Sequence, residues 1–130
     1  MAGHTAMKID DMEAIYGGGF HRARGELGVS SFGMQVMDFP AGFDQYPEHD
    51  HSEDGQEEVY VALSGTAEIE ISGEKVTLDQ STMVRVSPGT KRKITTSDQP
   101  ARILAIGGIP GQAYEASEFS KLGAPDPSAG

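Results

Sequence analysis

The sequence predicts an all-β domain, a sandwich or barrel of short strands, on three observations. Short apolar runs recur along the chain, each bounded by Gly, Pro, Asp or Ser. Within them, apolar and polar residues tend to alternate with period two, as in half-buried strands. The 17 Gly and 7 Pro are scattered between the runs, which suits a loop-rich β protein better than a helix bundle. A chain of 130 residues makes one domain with room for a single hydrophobic core, and no linker or fixed-period repeat divides it.

Taken in order, residues 8–16 (KIDDMEAIY) are expected to form a short helix, capped by Asp10 or Asp11 and ended by Gly17, Gly18 and Gly19. Strands follow at 32–39, 58–63, 66–71, 75–78, 83–86, 92–96 and 101–106. In TAEIEI (66–71), Glu68 and Glu70 face solvent while Ala67, Ile69 and Ile71 face the core. Ser72 and Gly73 occupy the turn of a tight hairpin. Met34, Met37 and Met83 read as core, His4 and His21 as surface. The segment 110–130 reads as an irregular cover with loose last residues, in which Tyr114 is placed to close a barrel mouth.

Charge and composition remove several functions. A net charge of −10 argues against nucleic acid and anionic membranes as partners. Acidic residues crowd 44–58, no Lys or Arg lies between Arg24 and Lys75, and the basic run KRK (91–93) reads as a solvated turn. No apolar stretch approaches the ~18 residues of a membrane span. The N-terminal stretch lacks a charged-then-apolar signal pattern, so a cytoplasmic location is expected. The absence of Cys excludes disulfides, thiolate metal sites and a Cys nucleophile. Neither YGGGFHRARG nor IGGIPG makes a phosphate-binding loop, and GVSSFG is not a nucleophile elbow.

The chemistry concentrates in YPEHDHSEDGQEEVYVALSG, residues 46–65. On extended chain His49 and His51 project to one face, where two imidazoles can chelate a first-row metal. Glu57 and Glu58 open the next strand, and parity turns one of them inward, where a carboxylate needs a metal or a cation. Two His and one carboxylate make a facial triad with open positions. Tyr60 shares a face with Glu58 and is expected to line the cavity; Gln35, on the face of Met37, is a second candidate ligand-binding residue.

These residues resemble the first motif of the cupins, small double-stranded β-helix (jelly-roll) barrels, with Gly42, Pro47, His49, His51, Glu58 and Gly65 in the matching places. The spacing of that motif selects Glu58 over Glu57, although the gap from His51 to Glu58 is about two residues longer than usual, and residues 52–57 are expected to bulge into solvent. The second motif is matched only by Pro88 and Gly89. Arg92 stands where the family has its fourth ligand, a His; Thr96 and Ser81 replace an Asn and a Gly.

The resemblance covers about 30–107, after a short helical or irregular N-terminal segment. It implies a divalent metal (iron, manganese, zinc and nickel not being distinguished) on His49, His51 and Glu58. It further implies a small-molecule ligand, oxygenase- or isomerase-type chemistry, and a homodimer. Arg92 leaves three states open. It points at an anionic substrate beside the metal, it pairs with Glu58 in a metal-free site that binds an anionic molecule, or it turns to solvent.

Overall fold

The computed structural model of the chain describes residues 3–129. In chain order its strands are β1 (Ala14–Ile15), β2 (Phe20–His21), β3 (Gly33–Phe39), β4 (Glu57–Gly65), β5 (Ala67–Ile71), β6 (Glu74–Leu78), β7 (Val84–Val86), β8 (Arg92–Thr95) and β9 (Ala101–Gly108). They form two antiparallel sheets, ordered β1-β2-β3-β9-β4-β7 and β6-β5-β8. The nearly all-β jelly-roll expected from the sequence is the fold found. Alternation is obeyed where it was read: Glu58, Tyr60 and Ala62 are buried along β4, and Ala67 and Ile69 along β5. Ile71 pairs with Glu74 across Ser72 and Gly73, both at positive φ (51° and 86°), as a two-residue hairpin turn requires.

The main core lies between the sheets and includes Met37, Phe39, Tyr60, Ile69, Leu78, Ile94 and Ile103. A smaller cluster of Met12, Ala23 and Val36 covers the outer face of β3. These two clusters explain why the helix expected at 8–16 does not form. Only a 3-10 turn, Ile9–Asp11, survives; Met12 enters the outer cluster and Ile15 the barrel core. A helix would put both, three apart, on one face, whereas extended chain reaches both clusters. Neither Asp caps: Asp10 instead accepts a hydrogen bond from Arg102. The α-helix, α1 (Ala23–Leu27), lies further on and ends at Gly28 in the left-handed region (φ 79°).

His21, expected at the surface, is buried because β2 pairs with β3 and brings its Nε2 within 2.7 Å of Asp38. Arg102 grips the same carboxylate with Nε (2.7 Å) and Nη2 (2.9 Å). That bidentate contact, opposed by burial and aided by His21, holds the Asp38 carboxyl below its ordinary value. Met83 is also corrected: it is 66% exposed, on the same face as the exposed Arg85.

Apart from a 3-10 turn, Glu118–Ser120, the C-terminal segment carries no regular element among the described residues, and it is tied down up to Asp126. The buried Arg22 donates from Nε to the Phe119 carbonyl (2.9 Å) and from Nη1 to Glu13 (3.0 Å). Glu13 in turn accepts from the Gly123 amide (3.0 Å), and Asp126 from the Tyr16 amide (3.1 Å). Gly130 lies outside the described residues.

Two outcomes are expected. Gly65 has φ +68°, and an added Cβ would run into the Pro100 carbonyl oxygen. Gly65→Ala should therefore cost about 2–3 kcal/mol, read as a lower urea midpoint at unchanged slope. Because the folded Asp38 pKa is depressed, its contribution is complete above the ordinary value of 3.8 and disappears as pH falls through the lower folded one. The stability advantage of wild type over Asp38→Asn should thus be full at pH 6 and shrink towards pH 3, measured by urea unfolding across that range.

Candidate metal centre

His49 and His51 stand on extended chain because the segment before β4 runs along β8. The amide of His49 donates to Arg92 O (3.0 Å), that of Arg92 to His49 O (2.9 Å), and that of His51 to Pro88 O (2.7 Å). The two imidazoles accordingly sit side by side, centroids 5.1 Å apart and nearly perpendicular at 83°.

Their Nδ1 atoms are engaged elsewhere. Nδ1 of His49 lies 3.1 Å from the Pro47 carbonyl, an acceptor only, so that nitrogen carries the proton and Nε2 of a neutral ring keeps its lone pair. Nδ1 of His51 faces both oxygens of Asp54, at 3.0 and 3.1 Å. Asp54 is held in turn by the Gln56 amide (3.2 Å) and side chain (3.0 Å). Both Nε2 atoms therefore point the same way, towards Glu58 Oε1, at 3.9 Å for His49 and 3.1 Å for His51. The His51 contact is short but misdirected, and Nε2 there is buried without a hydrogen-bond partner. A bare nitrogen lone pair against a carboxylate is repulsive unless a proton or a cation lies between them.

Glu58 is the inward member of its pair, buried, while Glu57 reaches outward to Arg85 (2.8 Å). Burial pushes the Glu58 carboxyl up, but His51, the Tyr60 hydroxyl (2.5 Å) and Arg92 outweigh it, and the net shift is downward. The same carboxylate raises His51, with burial opposing and Asp54 assisting. Burial raises the phenols of Tyr46 and Tyr60, so both remain donors.

Arg92 is not the solvated residue its KRK context implies. It is fully buried on the face of Ile94, its Nη1 3.6 Å from Glu58 Oε1 and its Nη2 donating to the Ser87 carbonyl (3.0 Å). The state in which it turns to solvent is ruled out.

In front of Glu58 lies a cleft of about 1070 Å³. His49, His51, Glu58, Gln35 and Tyr114 are on its wall, together with Asp54 and Gln56. Arg92 and Tyr60, expected to touch ligand, are not: both are fully buried, packed behind the carboxylate they contact. Tyr60 supports Glu58 rather than lining the cavity. Asp54 was missed, since the loop 52–57 reads as a solvated bulge; its place three residues after His51 was the available signal.

Two side chains of the cleft wall, Gln56 and Tyr114, are seated on bare backbone beside Glu58. Across the sheet Glu58 pairs with Gly107 and Gly107 with Gly33, so the row next to the carboxylate carries no side chains of its own. A Cβ on Gly107 would meet Gln56 Oε1 (2.9 Å) and Glu58 Cγ (3.1 Å); one on Gly33 would meet the Tyr114 ring (2.9 Å).

The donor atoms of His49, His51 and Glu58 lie within 4.8 Å of one another. Two imidazole nitrogens and a carboxylate oxygen suit a divalent first-row ion, and the orphaned Nε2 of His51 is the atom that such an ion would satisfy. The residues fit a three-ligand site with Arg92 behind it.

Comparison with known proteins agrees with this architecture. A cupin domain family model matches residues 35–107. A cupin protein from Bacteroides fragilis superposes with a TM-score of 0.69 at 25% identity, covering 90% of this chain and 93% of that one. The Cupin_2 domain of an XRE family transcriptional regulator from Enterobacter cloacae gives 0.55 at 24%, over 64% and 86%. A DMSP lyase from Ruegeria pomeroyi gives 0.55 at 26%, over 70% of this chain but only 45% of its own. Among curated proteins, none matches. Since the matched stretch runs from β3 to β9 and contains both histidines and Glu58, the chain belongs to the cupin family.

Proposed function

We propose that this cupin binds a small molecule in the cleft beside a divalent metal ion held by His49, His51 and Glu58. The observation that carries the proposal is the convergence of two Nε2 atoms on one buried carboxylate while each Nδ1 is engaged elsewhere, which leaves His51 Nε2 with no partner. Such an ion would supply Lewis-acid polarisation or an anchor for dioxygen, the chemistry of isomerases and oxygenases. The residues of the chain do the rest. Asp54 and the Pro47 carbonyl fix the two rings, Tyr60 and Arg92 hold Glu58 ionised, and the cleft wall places the ligand.

Protein purified without an affinity tag should carry a first-row divalent ion by elemental analysis, or take one up on titration. His51→Ala and Glu58→Ala should abolish uptake, and Asp54→Ala should weaken it about 10–100-fold. Failure of wild type to bind iron, manganese, zinc or nickel would sink the proposal.

A second reading has its own support in the Arg92–Glu58 contact of 3.6 Å, which already gives the carboxylate a cation. On that reading the site is a metal-free binding pocket. Wild type would then bind no metal, whereas Arg92→His, by restoring the family's fourth ligand, would create a site that binds zinc in calorimetry.

A further inference from the structure

We infer that the ligand of this cleft is an amphiphile, with a polar head at the metal centre and an extended apolar tail lying along the C-terminal segment. The inference deepens the proposed function, on which the position of the head rests, and adds the ligand's direction and length.

Three stretches of chain run side by side from the metal centre to the far end of the cleft. The floor is β3, with β2 beside it. Gly33 stands in the same cross-strand row as Glu58, and Gln35, Met37 and Phe39 follow on the same face at two-residue intervals. Phe20 pairs with Met37 and continues the floor onto β2. One side wall is the segment before β4, taken backwards from His49. His49 packs against Tyr46 (centroids 5.4 Å apart), Tyr46 against Phe39 (5.5 Å), and Phe39 stacks on Phe43 (4.8 Å, 23°). The other is the C-terminal segment. The Tyr114 ring lies against Gly33 at the metal end, Phe119 packs on Phe20 (5.3 Å) at the far end, and Ser117 lies between.

Polarity changes in the same direction along all three. Near the metal centre the wall is formed by His49, His51, Asp54, Gln56, Glu58 and Gln35; beyond Gln35 it is formed by Met37, Phe39, Phe43, Phe20 and Phe119. Polar groups in the far half are spent on the protein itself. The Ser117, Ser120 and Ser128 hydroxyls bond within the C-terminal segment, and the Asp38 carboxylate is held by Arg102 and His21. Tyr16 and Gln45, also on the wall, are exposed to solvent.

The distances favour a long ligand. Along β3 the row of Glu58 and the row of Met37 are four residues apart, about 13 Å, and from β4 to β2 is three strand spacings, about 14 Å. The cleft volume of about 1070 Å³ is at the upper end of small-ligand sites, roughly 300–1,000 Å³. A compact polar molecule at the metal centre would leave Phe20, Phe43 and Phe119 facing water, whereas an apolar tail covers them.

The tail is tested with straight-chain alcohols, from butanol through hexanol and octanol to decanol. Their dissociation constants are read from backbone amide shifts in NMR, on full-length protein supplied with zinc. Each two added methylenes should lower the constant about 10-fold. The signals that move should include Phe43 and Phe119 rather than the exposed Leu63 and Met83 of the outer sheet face. Phe119→Ala should flatten the dependence on chain length. Ser117→Trp, which adds bulk to the far half from an exposed position, should remove the gain from octanol to decanol. The head is tested with decanohydroxamate, a zinc chelator on a tail of similar length, which should bind at least about 10-fold more tightly than decanol. Affinity independent of chain length, a dependence that neither variant changes, or no advantage of the hydroxamate on zinc-bearing protein would overturn the inference. The zinc content of the same preparation keeps the two proposals apart. Zinc taken up without a chain-length dependence defeats only this inference; the dependence without zinc defeats the metal and leaves the tail.

Discussion

Removing a carboxylate from water costs on the order of several kcal/mol unless its lone pairs are met, and the Glu58 carboxylate is met by the Tyr60 hydroxyl and the Arg92 guanidinium. Tyr60 donates from the same strand face, Arg92 approaches from the barrel interior, and His49 and His51 approach from the cleft. Each of these contacts requires a different part of the fold. Tyr60 needs the regular alternation of β4. Arg92 needs β8 to turn it inward on the face of Ile94, and the histidines need the preceding segment to pair with β8. The two sheets are thus joined through one buried charge as well as through the apolar core.

Much of this was legible in the chain because period-two alternation is a local property. It placed Glu58, Tyr60 and Ala62 on one face and the turn at Ser72 and Gly73, and the motif spacing singled out the two histidines. The failures are of two kinds. The KRK run was read by its charge, and a solvent-facing Arg92 was left open, although its strand mate Ile94 is apolar and parity turns it inward; Met83 was read by its hydrophobicity, although parity put it with Arg85. His21 and the residues 8–16 were decided by pairings whose partners are distant in sequence: β3 in one case, two separate hydrophobic clusters in the other. No local pattern carries that information.

The termini belong to the site as much as the barrel does. Arg22 and Glu13 bind backbone groups of the C-terminal segment, and that segment contributes Tyr114 and Phe119 to the cleft wall. Arg22 is fully buried and spends its guanidinium on two carbonyls and one carboxylate, so the wall is fixed by directional bonds rather than by apolar packing alone.

The row Glu58–Gly107–Gly33 separates two jobs that most β-sheet sites combine. Where a strand residue forms a pocket floor, changing it alters both the pocket and the packing of the sheet. Here the backbone beside the carboxylate is bare, and the side chains that cover it and line the cleft, Gln56 and Tyr114, come from a loop and from the C-terminal segment. Substitution of Tyr114 re-shapes the cleft while the strands keep their register and Glu58 keeps its partners. On the proposed function, ligand choice would be carried by side chains on which the sheet does not depend.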